Sequence, residues 1–186
     1  LLWIKTSRKK WEIVGNSGNN LYFYSIITHQ VGFLGEHEIK LDDKGRARVP
    51  SGLKENLSPA AKNQFVVVRG FENCLMLYPM DVWEQVRAKV DKLNTFVKSN
   101  REFVRRFYAG ASTLEMDSND RINIPKQLLE YAGITKEIII TPHKNLFEIW
   151  DKKKYNDMMN ADNGESYESL AEHVMGNTSF DEPNQL

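Results

Sequence analysis

The chain has 186 residues, 41% of them hydrophobic, with 25 Lys+Arg against 25 Asp+Glu and a formal net charge of zero. That is enough for one domain or two small ones with a buried core, and no run approaches the roughly 18 apolar residues of a membrane-spanning helix. The single cysteine, Cys74, excludes a disulfide framework within the chain, and with only four histidines no structural zinc pattern arises, so an intracellular protein without metal or cofactor is expected.

The neutral total conceals a gradient. Residues 1–34 carry four basic side chains and one acidic, net +3; residues 151–186 carry three and eight, net −5. The stretch between, with 18 basic and 16 acidic residues, is net +2. A nucleic-acid partner would therefore depend on local clustering and on several copies acting together.

Residues 1–31 have a basic start and an aromatic patch, Leu21-Tyr22-Phe23-Tyr24-Ser25-Ile26-Ile27, too short and too poorly flanked for a secretory signal. They read as an appended segment outside the fold, upstream sequence translated through a misplaced start. An extra strand at a sheet edge is the alternative. Residues 36–41 then alternate polar and apolar as a half-buried strand does. Next comes Leu41-Asp42-Asp43-Lys44-Gly45-Arg46-Ala47-Arg48-Val49-Pro50, a strand end, a tight turn and a second strand. Asp42 can accept backbone N–H bonds from residues just ahead of it, and Gly45 supplies the left-handed position. Arg46 and Arg48 alternate with Ala47 and Val49, so guanidinium and apolar groups point to opposite faces, and Pro50 stops the strand. The expected product is a hairpin with one apolar face and one cationic face.

Residues 51–57 can form a helical turn ended by Ser58-Pro59, and 65–69 and 74–78 are β-rich runs around a turn at 70–73. From 80 to 108 the period becomes helical: Trp83, Val86, Val90, Leu93 and Val97, then Phe103, Val104 and Phe107 after an N-cap at Ser99 or Asn100. The extra apolar surface of these two helices suits packing between subunits. Residues 110–150 repeat the β unit, with a helix over 125–131 capped by Gly133. Another helix begins over 151–160. Beyond Ala161 the chain is acidic, with a short helix allowed by Tyr167, Leu170, Ala171 and Val174, and the last ten residues read as disordered.

The repeat is specific. Met116-Asp117-Ser118-Asn119-Asp120-Arg121-Ile122-Asn123-Ile124-Pro125 places Asp, Arg and Pro in the register of the first motif, 75 positions later, and Gly35/Gly110, Leu53/Leu128 and Glu55/Glu130 match at the same offset. Such internal duplication decides the architecture before any local detail. Two D-x-x-x-R motifs, each followed by a short strand and Pro, together with Phe33-Leu34-Gly35-Glu36, Leu75-Met76-Leu77-Tyr78-Pro79, Trp83 and Phe147-Glu148-Ile149-Trp150-Asp151, resemble the MraZ family over roughly residues 31–157. The resemblance implies a mainly β fold with flanking helices, a double-split β-barrel of two tandem AbrB-like swapped-hairpin halves. It divides the chain into the appended segment 1–31, a first half 33–80, linking helices 81–108, a second half 109–157 and an acidic tail 158–186. It also implies a cytoplasmic, nucleoid-associated transcriptional regulator. The regulator would form a ring-shaped homo-oligomer, an octamer or larger, binding double-stranded DNA at short direct repeats upstream of the division and cell-wall gene cluster. A ring-forming protein-interaction module with a degenerate DNA face, or an AbrB-like antitoxin, are the alternatives.

On this reading Lys44, Arg46, Arg48 and Arg121 are the DNA-binding residues, Lys44 as a point charge on phosphate and the arginine forks on guanine or phosphate. Asp42, Gly45 and Asp117 orient the turns. Asp120 stands where Gly is usual and Asn119 where the first copy has Lys44, so the second motif is expected to contribute less, and a purely structural role for Asp117–Arg121 stands beside DNA contact. Lys98, Arg101, Arg105 and Arg106 read as a solvated helix face. Trp83, Trp150, Tyr78 and Phe147 read as core, and Cys74 as a buried small hydrophobe. Ser112 and His37 form no triad with the aspartates, no Gly-rich phosphate loop is present, and nothing supports an enzyme, a small-molecule substrate or a membrane partner.

Overall fold

The runs Phe65-Val66-Val67-Val68 and Ile138-Ile139-Ile140 lack polar alternation, as strands buried on both faces do. In the computed structural model, which describes residues 34–161 and 166–176 together with the backbone of three N-terminal strands, both runs are interior strands of one antiparallel sheet. The N-terminal strands β1 (Leu2–Ser7), β2 (Lys10–Ser17) and β3 (Asn20–Ser25) pair in that order as their own sheet, and none of them lies at an edge of the larger one.

The chain continues through β4 (His37–Lys40), β5 (Arg46–Arg48), α1 (Ser51–Glu55), β6 (Gln64–Arg69), β7 (Leu75–Pro79), α2 (Met80–Val90) and α3 (Lys98–Tyr108). The second half follows as β8 (Ser112–Glu115), β9 (Arg121–Asn123), α4 (Lys126–Ala132), β10 (Glu137–His143), β11 (Leu146–Asp151), α5 (Lys152–Met159) and α6 (Tyr167–Met175). Six strands form an open antiparallel sheet in the order β4-β10-β11-β7-β6-β8, while β5 and β9 form a separate two-stranded ribbon. Exchanging the halves reverses this order onto itself, so a local twofold runs between β7 and β11 and through the Ala47–Ile122 pair of the ribbon.

The first motif does not close into its own hairpin. The turn is there, with the Asp42 amide donating to the Arg46 carbonyl at 3.0 Å, but β4 pairs with β10 (Ile39 opposite Ile138) and β5 pairs with β9. The second motif does the same, β8 pairing with β6 (Leu114 opposite Phe65). Each half thus lends its first strand to the other half's sheet. The exchange places the apolar side of each motif strand on a shared core, which a detached hairpin would leave exposed.

That core lies between the inner face of the sheet and the ribbon. Ala47, Val49, Ile122 and Ile124 from the motif segments meet Phe65, Val67, Leu77, Ile138, Ile140 and Phe147 there, with Leu53 and Leu128 from α1 and α4. On the outer face Val66, Val68 and Tyr78 pack under Trp83, whose ring stacks on Phe107 of α3 at 5.4 Å and 8°. The equivalent face of the second half packs Ile139, Cys74 and Trp150 with Tyr155 of α5. Trp83, Trp150, Tyr78 and Phe147 are all buried, as is Cys74, whose thiol burial pushes up to about 11.

Two helix ends differ from the periodic reading. α2 stops at Val90, leaving Leu93 and Val97 outside: the chain tightens as Lys92 donates to the Lys89 carbonyl and Leu93 to the Val90 carbonyl, and the Asn94 side chain then accepts the Phe96 amide at 2.9 Å. α3 begins after Val97 with no side-chain cap; Asn100 instead donates to the Asn94 carbonyl, and Arg101 donates to the carbonyls of Thr95 and Phe96. The Gly133 cap of α4 has φ +63°, as its position requires. α6 is present over Tyr167–Met175, whereas the last ten residues lie outside the described part.

Candidate nucleic-acid interface

Each D-x-x-x-R motif builds its own turn. Asp42 Oδ1 accepts the amides of Lys44 (2.9 Å) and Arg46 (3.0 Å), and Oδ2 accepts Arg46 Nε at 2.6 Å. Gly45 has φ +75° and its amide closes on the Asp42 carbonyl at 2.9 Å. The second turn repeats this atom for atom: Asp117 accepts Asn119 N (2.8 Å), Arg121 N (3.0 Å) and Arg121 Nε (3.0 Å), and Asp120 takes the left-handed position at φ +59°. The spacing is therefore a physical requirement: four residues bring the arginine back over the carboxylate that has capped the turn. The Arg46 amide first, and its guanidinium next among the lowering interactions, hold the Asp42 carboxyl below the usual range. For Asp117 the leading cause is the Arg121 side chain.

Pairing β5 against β9 brings the two motifs together. Arg46 stands opposite Asn123, Ala47 opposite Ile122, and Arg48 opposite Arg121. Ala47 and Ile122 are fully buried, so Arg46, Arg48, Arg121 and Asn123 share the outward face. Arg46 and Arg121 keep 29% of their side-chain surface exposed while bound to their aspartates, and Arg121 also approaches Asp42 Oδ2 at 3.8 Å, linking the turns. Arg48 is exposed and has no ion pair among the described residues; Lys44 projects from the first turn, also exposed and unpaired in the same sense.

Asp120 does not act on Arg121 alone. Lys54, projecting from α1 of the other half, binds its carboxylate at 2.5 Å and offsets its charge. The matching place at the first turn has Leu129, whose Cδ1 would lie 3.2 Å from a Cβ on Gly45. The link spans 66 residues, so the motif by itself carries no sign of it.

The basic residues of α3 lie elsewhere. That helix covers the outer face of the sheet through Phe107 and Tyr108, whereas the ribbon covers the inner face, so Arg105 and Arg106 are on the far side of the sheet from Arg48. Ser112 donates to the Gly110 carbonyl, and His37 Nε2 is buried without a partner among the described residues. Among the described residues no cluster of His, Cys, Asp and Glu could hold a metal, and no helix is long and apolar enough to cross a membrane.

A family model described as "MraZ protein, putative antitoxin-like" matches the chain twice, over residues 33–106 and 107–177, so that each match contains one motif turn and one half of the sheet. The transcriptional regulator MraZ of Christiangramia forsetii is 46% identical over 152 residues, covering 81% of this chain and 97% of that protein. The transcriptional regulator MraZ of Flavobacterium psychrophilum is 43% identical over 150 residues, covering 80% of this chain and 95% of that protein. With its duplicated turn, its exchanged strands and these two relatives, the chain belongs to the MraZ family.

Proposed function

We propose that this chain is a sequence-specific DNA-binding transcriptional regulator, acting as a ring-shaped oligomer of eight or more copies on short direct repeats upstream of the division and cell-wall genes. The observation that carries the reading is Arg48 directly opposite Arg121, with Arg46 on the same face. Like charges opposed across a two-stranded ribbon are unfavourable in isolation, and an anionic partner relieves the repulsion. The major groove admits such a ribbon, and arginine forks match guanine O6/N7 or phosphate there. Arg46, Arg48, Arg121 and Lys44 make the contacts; Asp42, Asp117 and Gly45 hold the turns. The relatives' title of transcriptional regulator supports the same reading.

One ribbon reads few base pairs, so affinity comes from repetition. Phe71, Phe96 and Phe103, exposed by 83%, 93% and 39%, give the α3 side of each copy apolar surface for neighbours. The fold is a double-split barrel in this reading, with the ribbon and the open sheet as its two parts, and the protein works in the cytoplasm on the nucleoid.

A gel-shift titration with duplex DNA from just upstream of the protein's own gene, at several salt concentrations, tests the reading. Tight, sequence-dependent binding by a light-scattering-defined oligomer is expected. Equal affinity for unrelated duplexes, or a monomer at micromolar concentration, would overturn it and favour a protein-interaction role.

A further inference from the structure

The local twofold that relates the two turns also relates the grooves beside them, and the two grooves carry different charge. Beside the first turn a groove of about 510 Å³ is lined by Lys44, Lys126 and Lys136. Lys136 also lines the adjoining hollow of about 580 Å³, where Lys40, Lys152 and Lys153 stand. Six lysines thus run from the tip of the first turn to the start of α5, with Asp42, Asp43, Glu137, Asp151 and Asp157 between them. Acidic side chains engage three of them: Lys152 with Glu38 and Glu137, Lys153 with Asp157, and Lys126 with Glu130. Lys40, Lys44 and Lys136 are exposed and form no ion pair among the described residues.

The matching strands, turns and helices of the other half place Glu115 where Lys40 stands, Asn119 for Lys44, Ser51 for Lys126, Asn63 for Lys136 and Asp81 for Lys153. None of the five is a cation, and two are acids. In the reverse direction Lys54 stands where Leu129 does and Lys62 where Thr135 does, but Lys54 is tied to Asp120, so one backbone arrangement presents three unpaired lysines beside the first turn against Lys62 alone beside the second. A row of unpaired ammonium groups leading away from an arginine face suits a polyanionic strand, because each ammonium meets phosphate as a point charge whatever the base.

Resting on the DNA-binding reading above, we infer that Lys44, Lys136 and Lys40 form a phosphate track that carries one DNA strand away from the ribbon on the first-turn side only. Each chain then grips its duplex with a single polarity despite its near-twofold fold. A symmetric reader favours inverted repeats, whereas copies of an asymmetric reader, set side by side in one orientation, match direct repeats.

The test replaces track residues by polar residues, following the other half where charge allows: Lys136→Asn and Lys40→Gln together, with Lys89→Gln and Lys92→Gln on the α2 side as a charge control. Binding to the upstream duplex and to a scrambled duplex is titrated from low to high salt, with melting temperatures beside it. The track variant should weaken both duplexes by the same factor and flatten the log–log salt slope by roughly 0.9 per lost contact, close to 2 in all. Its melting temperature and its ratio between duplexes should match the parent's, and the control should keep the parent's slope. Each single variant should give about half the slope change, which keeps the test open if the double variant folds poorly. A track variant with the parent's slope and affinity, or a control that loses as much, would overturn the inference while leaving the DNA-binding reading intact. A parent that binds neither duplex would remove both.

Discussion

At the first turn the left-handed position is Gly45, with Leu129 of the other half over it; at the second it is Asp120, held by Lys54 of the other half. The aspartate cap, the arginine four residues on and the closing amide bond are common to both. Around an unchanged backbone the side chains have diverged, the first turn keeping Lys44 and Gly45, the second having Asn119 and an Asp120 tied to Lys54. The D-x-x-x-R pair thus shapes the turn in both halves, and the halves differ most in the side chains around it.

The comparison breaks most strongly at the centre of the ribbon, where Ala47 and Ile122 face each other across the twofold and both are fully buried. Nearly all the side-chain volume at that point comes from the second half. Ile122→Ala should cost about 2–5 kcal/mol, read as a lowered denaturant midpoint with an unchanged slope. The exchange variant Ala47→Ile/Ile122→Ala restores the volume from the other side and should recover a large part of the loss. An exchange variant no more stable than Ile122→Ala would show that the twofold does not extend to packing.

The arginines come next. Arg46→Ala and Arg48→Ala should each weaken specific binding by about 1–3 kcal/mol per contact, and in a repeating oligomer enough to abolish the shifted band. Arg121→Ala should cost less, because its guanidinium is shared between Asp117 and Asp42 and its turn has Asn119 where the first has Lys44. Melting curves for all three should stay close to the parent's. Equal losses for Arg46→Ala and Arg121→Ala would make the two turns equivalent in binding and remove the asymmetry.

Period-two patterning revealed the outward arginines and the inward Ala47 and Val49, because burial acts across the strand and is written into neighbouring residues. Strand partners were not legible. A turn followed by a strand looks the same in sequence whether it folds back or is exchanged, and the choice of β10 for β4 depends on residues a hundred positions away. The helix at 80–90 was readable, yet Leu93 and Val97 kept the period beyond its end, where the backbone has already turned through the Lys92–Lys89 and Leu93–Val90 bonds. Asp120 pointed to a smaller DNA contribution from the second motif, whereas the counter-charge that Lys54 brings to it from the other half was not legible. The lysine row is scattered between residues 40 and 153, and only the fold assembles it.

A smaller effect is expected at the left-handed positions themselves. Gly45→Ala forces a Cβ into φ +75° and to 3.2 Å from Leu129, and should cost about 1–2 kcal/mol. Asp120→Gly relieves the same conformation but frees Lys54, so its net change should be smaller than that of Gly45→Ala. Thermal unfolding of the two variants settles the comparison; a neutral Gly45→Ala would mean the first turn relaxes in a way the second does not need to.

The smallest difference between the turns should appear in acid. Folding lowers the carboxyl pKa of both Asp42 and Asp117, so each contributes stability that is fully present above the ordinary carboxylate value of about 4 and is lost as pH falls through the lower folded value. Melting temperature should therefore drop as pH falls below about 4, and Asp42→Asn or Asp117→Asn should each flatten that drop. The causes differ in kind. Asp42 is held down first by a backbone amide, a fixed dipole at hydrogen-bond distance, whereas Asp117 is held down first by the Arg121 side chain. Salt near 1 M shortens the screening length to about 3 Å and weakens attraction between exposed charges more than a turn-closing amide bond. Added salt should shrink the difference between parent and Asp117→Asn more than that between parent and Asp42→Asn. Acid limbs that run parallel in parent and variants would show that neither carboxylate is linked to folding, and equal shrinkage in salt would show that the two turns are held by the same balance of forces.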